Sequence, residues 1–100
     1  MGFFNRKRKF GDVKAYLEKG AVVLDVRTQA EYDEGHAAGS TLIQLDFLPD
    51  HLEEIKSWNK PVITCCRSGA RSSTAEDFLA DHGIDVINGG PWQNVDQYIE

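Results

Sequence analysis

No apolar run in this 100-residue sequence approaches the ~20 residues that a membrane-spanning helix needs. Phe3-Phe4 is far too short to be the apolar centre of a secretory signal. Gly2 follows Met1, but Arg6 stands where a myristoylation signal requires Ser or Thr. The expectation is a cytoplasmic protein with no membrane partner. Positive charge is scarce as well. The formal net charge is −5, which argues against nucleic acid as a partner, because phosphate backbones need a basic surface. The local exception is Arg6-Lys7-Arg8-Lys9, read either as a solvated arm or as a docking patch for an anionic partner or membrane surface.

Spaced cysteines are missing too. Cys65 and Cys66 are adjacent, and neighbours cannot close a structural loop, so no disulfide framework exists. In a reducing compartment that leaves thiol chemistry as the use of at least one of them. His36, His51 and His82 belong to no cluster in ligand order, so neither a metal nor another cofactor is expected. Repeats and disorder-prone tracts are absent. The length suits one compact domain, placed over residues 10–100 behind a basic arm at 1–9, and with no exposed apolar stripe a monomer is expected.

What is present alternates between strand-like and helix-like segments. Asp12 caps a helix to Lys19 with Val13, Tyr16 and Leu17 on one face, and Gly20 stops it. Residues 21–26 form an apolar, β-branched run that reads as a strand buried on both faces. Thr28 and Glu31 have capping-box spacing, which predicts a helix from Gln29 to Gly35. A second strand is expected over residues 41–45, and a helix from Pro49 to Trp58 burying Leu52 and Ile55. Pro61 opens a strand through Cys65, and Cys66 to Arg71 forms a loop. A helix follows from Ser72 to His82, with Ala75, Phe78 and Leu79 inward. The remainder reads as a strand over Ile84–Ile87, a turn at Asn88-Gly89-Gly90-Pro91 and a terminal helix from about Val95. Such alternation predicts an α/β fold in which a central, mostly parallel sheet has helices on both faces. Ligands then belong at the carboxyl ends of the strands, where Cys66 sits.

Cys66-Arg67-Ser68-Gly69-Ala70-Arg71 joins a buried strand to a helix N-terminus, where backbone N–H groups have no internal partner. If the loop curls around Cys66, those groups converge on its sulfur, and Gly69 permits the unusual backbone this needs. The nest, the helix terminus and the charges of Arg67 and Arg71 all favour thiolate over thiol. The same cradle could hold a persulfide or the oxyanion of a donor.

These residues, taken with others, resemble the rhodanese superfamily of sulfurtransferases over nearly the whole chain, from about Gly11 to Tyr98. The resemblance rests on Leu24-Asp25-Val26-Arg27-Thr28, Glu31-Tyr32, Gly35-His36-Ala37-Ala38-Gly39-Ser40, Pro61-Val62, the loop from Cys66 to Ser72, Gly83 and Gly89-Gly90. It implies a three-layer rhodanese-like α/β fold. It also implies Cys66 as the sulfur-carrying catalytic residue and the backbone of Arg67, Ser68, Gly69, Ala70 and Arg71 as its substrate cradle. Phosphatases of similar architecture carry a longer loop. Counted from Cys66, their closing arginine would fall at position 72, which is Ser72. A phosphatase or arsenate reductase is the weaker enzymatic reading, and a non-catalytic interaction module is the alternative outside enzymes.

The expected chemistry has two halves. Cys66 takes sulfane sulfur from a small anionic donor such as thiosulfate, and a thiol or protein thiol accepts it. Strand alternation turns Cys65 away from Cys66, so it reads as a small buried residue, with a resolving thiol as the alternative. The resemblance implies structural roles for Asp25 and Arg27, with Arg27 paired to a nearby carboxylate such as Glu31. His36 reads as a hydrogen-bonded turn residue. Trp92 either walls the mouth of the site or packs in the core.

Overall fold

The computed structural model describes residues 10–100, and the basic arm lies outside them. Asp12 caps α1 (Val13–Glu18), accepting from the Ala15 N–H at 3.1 Å. β1 (Val22–Asp25) is followed by α2 (Gln29–Glu34). There Thr28 and Glu31 form the expected capping box, each side chain accepting from the other's backbone N–H. β2 (Thr41–Leu42) is shorter than its sequence suggests. Ile43 and Leu45 still bond to the carbonyls of Asp25 and Val26, but the chain then coils into two 3-10 turns, Leu45–Phe47 and Pro49–His51. The expected helix from Pro49 is accordingly cut to α3 (Leu52–Ser57), with Pro49 opening the preceding turn.

β3 (Val62–Cys66), α4 (Ala70–Asp81), β4 (Val86–Pro91) and α5 (Trp92–Asp96) complete the chain. The sheet is wholly parallel in the order β2-β1-β3-β4. Alternate residues face opposite layers. Leu24, Val62 and Cys66 pack with Ile55 of α3 and Ala75 and Leu79 of α4. Val23, Ile63 and Cys65 pack with Val13 of α1 and Val95 of α5. Cys65 and Cys66 therefore lie in different layers, as the two-residue period requires.

Two departures from the sequence reading shape the site. First, α4 starts at Ala70 rather than Ser72, because Gly69 takes a left-handed conformation (φ +101°) as its N-cap. Ser72 is thereby drawn into the first helical turn, where backbone N–H groups lack intrahelical partners. Second, Asn88-Gly89-Gly90-Pro91 is strand rather than turn. Thr64 pairs with Asn88 and Cys66 with Pro91, so β4 carries one extra residue here. Gly89 makes this close approach possible: a Cβ on it would come within 2.6 Å of Val95 and 2.7 Å of Ile63.

Candidate active site

β3 ends on Cys66, which is only 1% exposed. The Gly69 N–H points at its sulfur from 3.1 Å and the Ser72 N–H from 3.4 Å. The Ser72 hydroxyl lies 3.3 Å away. Burial pushes the Cys66 thiol up, but the Ser72 hydroxyl and the N–H groups of Ser72, Gly69 and Ser68 outweigh it, leaving Cys66 below the ordinary thiol range. A hydrogen bond to a charged acceptor contributes about 1.5–3 kcal/mol net. Cys65 has the opposite balance. Burial drives it up, and nearby Asp25 adds to the shift against a smaller opposing effect of Arg27.

The loop residues separate by role. Gly69 and Ser68 supply N–H groups, and the Ser68 hydroxyl also accepts from the Ala70 N–H at 3.4 Å. Ala70 opens α4. Arg67 lines an open groove of 270 Å³ with Arg27, Glu31, Glu34, Gly35, Trp92 and Gln93. Arg71 is turned instead to α2, where its guanidinium forks the Glu31 carboxylate at 2.8 and 2.9 Å. That fork holds the Glu31 carboxyl down to about 2. The positive charge of Arg71 still reaches the sulfur, since Cys66 is among the groups that favour its charged form.

The expected pairing of Arg27 with Glu31 is corrected. Arg27 forks Asp25 through Nε (2.9 Å) and Nη2 (2.7 Å) and reaches only the backbone carbonyls of Glu31 (3.2 Å) and Gly35 (2.8 Å). Residues two apart share one side of an extended chain, so Asp25 is the nearer carboxylate. Its bonds let a buried charge persist and pin the groove wall to β1. Trp92 takes the packing role that the sequence offered, against the layer containing Cys65, and its ring also lines this groove, whose walls do not include Cys66. His36 is a turn residue, bonded to the Tyr32 carbonyl at 2.8 Å and stacked on its ring. A larger groove of 410 Å³ lies at the opposite end of the strands, between Ile55, Lys60, Pro61 and Ile84, and holds no thiol.

Two residues beyond the expected set complete the cradle. Ser72 provides both a backbone and a side-chain donor, and Asn88 of β4 holds Ser72 and Gly69 from behind. Ser72 had a sequence signal, its place near a helix N-terminus. Asn88 had none, because only the β3–β4 register sets it beside the loop. Among the described residues no three His, Cys, Asp or Glu side chains gather to hold a metal ion. Among them, too, no helix is long and apolar enough to cross a membrane.

Comparison with known proteins points the same way as the geometry. The rhodanese-like domain matches residues 10–91. The thiosulfate sulfurtransferase GlpE of Pseudomonas fluorescens is 33% identical over 74 residues, covering 74% of this chain and 67% of that protein. A tRNA uridine(34) hydroxylase of Staphylococcus saprophyticus is 30% identical over 80 residues, covering 75% of this chain but 25% of the hydroxylase. The chain thus spans about two-thirds of the first relative and a quarter of the second. The crystal structure of a rhodanese-related protein from Thermoplasma volcanium superposes with a TM-score of 0.71 at 28% identity, covering 86% of this chain and 85% of the other.

Proposed function

The chain belongs to the rhodanese-like domain family, and from that premise we propose that it is a sulfurtransferase carrying sulfane sulfur as a persulfide on Cys66. The observation that carries this reading is the difference between two adjacent thiols, of which only Cys66 is ringed by donors that stabilise a thiolate. In the first half-reaction the Cys66 thiolate attacks the outer sulfur of thiosulfate. The bond between the two thiosulfate sulfurs breaks, sulfite leaves with the electron pair, and a Cys66 persulfide anion remains. In the second, a thiolate or cyanide attacks the outer persulfide sulfur and the Cys66 thiolate is regenerated. No general base is needed once the thiolate is preformed.

Arg67, on the open groove, is suited to drawing in a small dianionic donor. The N–H groups that hold the thiolate can serve the persulfide anion as well. The physiological acceptor in this reading is a low-molecular-weight or protein thiol of the cytoplasm. Intact-protein mass after incubation with thiosulfate tests it. Wild type should gain one sulfur (~32 Da, the first sulfur-adduct rung of thiol chemistry) and Cys66→Ala should gain none. No gain in either protein, with thiosulfate or with an organic persulfide donor, would replace the sulfurtransferase by a non-catalytic interaction module.

A further inference from the structure

Asn88 is 6% exposed, and its side-chain amide makes three hydrogen bonds. Oδ1 accepts from the Gly90 N–H at 2.9 Å and from the Ser72 hydroxyl at 2.7 Å, while Nδ2 donates to the Gly69 carbonyl at 3.0 Å. The amide cannot be reversed, since Gly90 N–H only donates and Gly69 C=O only accepts. Ser72 Oγ therefore stands between a fixed acceptor, Asn88 Oδ1, and the Cys66 sulfur at 3.3 Å, with one proton to offer.

When Cys66 is a thiol, its S–H can donate to Ser72 Oγ while the hydroxyl donates onward to Asn88. When Cys66 is a thiolate, its sulfur only accepts, and the hydroxyl gains more by turning to it. Asn88 Oδ1 is not orphaned by that turn, because Gly90 N–H still bonds it. We propose that Ser72 and Asn88 form a two-position hydroxyl switch, in which Ser72 bonds Asn88 beside the thiol and Cys66 beside the anion. Asn88 is then a positioning residue that acts through Ser72. The net change is one proton lost from the sulfur to water; Ser72 keeps its own proton and changes partner.

Of the charged groups nearby, Arg71 of α4, paired with Glu31 of α2, interacts with Cys66 itself, while the Asp25–Arg27 pair at the end of β1 acts on Cys65. Cys65 lies behind the Cys66 sulfur, and Glu76 of α4 accepts from the Asn88 N–H at 3.2 Å. These stay in place in the variants below, so their fields are common to every comparison.

The switch rests on the reading of Cys66 as sulfur carrier only for its purpose, and its test does not need sulfur transfer. The measurement is the pH profile of thiolate absorbance and of iodoacetamide alkylation at Cys66, located by peptide mass, in the full chain. Ser72→Ala should move the profile up by about one pH unit, slowing alkylation near neutrality about ten-fold, or about 1.4 kcal/mol. Asn88→Ala should move it down by about half a unit, with alkylation about three-fold faster, because the hydroxyl loses its competing acceptor. Asn88→Asp should move it up and slow alkylation at least about ten-fold, since a carboxylate both repels the thiolate and grips the hydroxyl.

An upward shift in a folded Asn88→Ala protein would overturn the switch and leave Asn88 as scaffold. If that variant does not fold, the uncharged Ser72→Ala variant decides, and a profile coinciding with wild type overturns the proposal. Mass gain with thiosulfate and with an organic persulfide donor is read on the same samples. Shifts as expected without sulfur gain would remove the sulfurtransferase and keep the switch. Sulfur gain without the shifts would do the reverse.

Discussion

Cys65 and Cys66 are consecutive residues of one strand, both buried, yet their surroundings differ in kind. Cys65 lies among Val13, Val23, Ile63 and Val95, where no hydrogen-bond donor among the described residues reaches its sulfur and the carboxylate of Asp25 is near. Cys66 also touches apolar neighbours, but the chain turns around it and aims N–H groups and a hydroxyl at its sulfur. Burial raises both thiols; only hydrogen bonding to the anion brings one back down. The opposite directions of the two shifts follow chiefly from what faces each sulfur.

The largest expected effect is on the contrast itself. Iodoacetamide at neutral pH should label Cys66 at least ~100-fold faster than Cys65, because the alkylating species is the thiolate. Cys65→Ala should leave the Cys66 rate within about two-fold of wild type. Comparable labelling of the two sites, read by peptide mass, would dissolve the distinction.

Gly69→Ala should erode the Cys66 side alone. Alanine is strained at this left-handed position (φ +101°), and its Cβ would meet the Phe10 ring at 2.7 Å, so relaxation of the loop would draw one N–H donor off the sulfur. Denaturant melts should show a loss of about 1–3 kcal/mol. The alkylation profile of Cys66 should move upward by roughly one unit. A variant as stable and as reactive as wild type would show that the cradle does not need this conformation.

The smallest effect belongs to the rim. Glu31→Gln breaks the fork to Arg71. The folded Glu31 carboxyl titrates at about 2, below its ordinary 4.5. The stability it contributes is therefore complete above about 4.5 and lost as pH falls toward about 2. Because the pair is partly exposed to screening solvent, its contribution is about 1 kcal/mol or less. Acid titration of stability should flatten over that window in Glu31→Gln, and the freed Arg71 should make Cys66 slightly more reactive. An unchanged acid limb would place the stability of this rim elsewhere.

Much of this was legible from short-range rules. The capping box at Thr28 and Glu31, the buried runs that became β1 and β3, and the opposite facing of the two cysteines all depend on neighbours a few residues apart. Three features were not. α4 begins at Ala70 because Gly69 adopts a left-handed cap, a choice that composition permits without imposing. Asn88 to Pro91 reads locally as a turn, yet pairing with β3 makes it strand. Arg27 takes Asp25 rather than the Glu31 carboxylate because Arg71, arriving from α4, occupies the latter.

The sequence alone determined the α/β alternation, the place of Cys66 after a buried strand and the donor-rich loop around it, since propensity, periodicity and capping act over a turn or two of chain. Tertiary structure decided which groups complete the cradle. Ser72 meets Asn88 across 16 positions and Glu31 meets Arg71 across 40. Hydrogen bonds are short and directional, so such partners are set by strand register and helix placement, which no local pattern specifies.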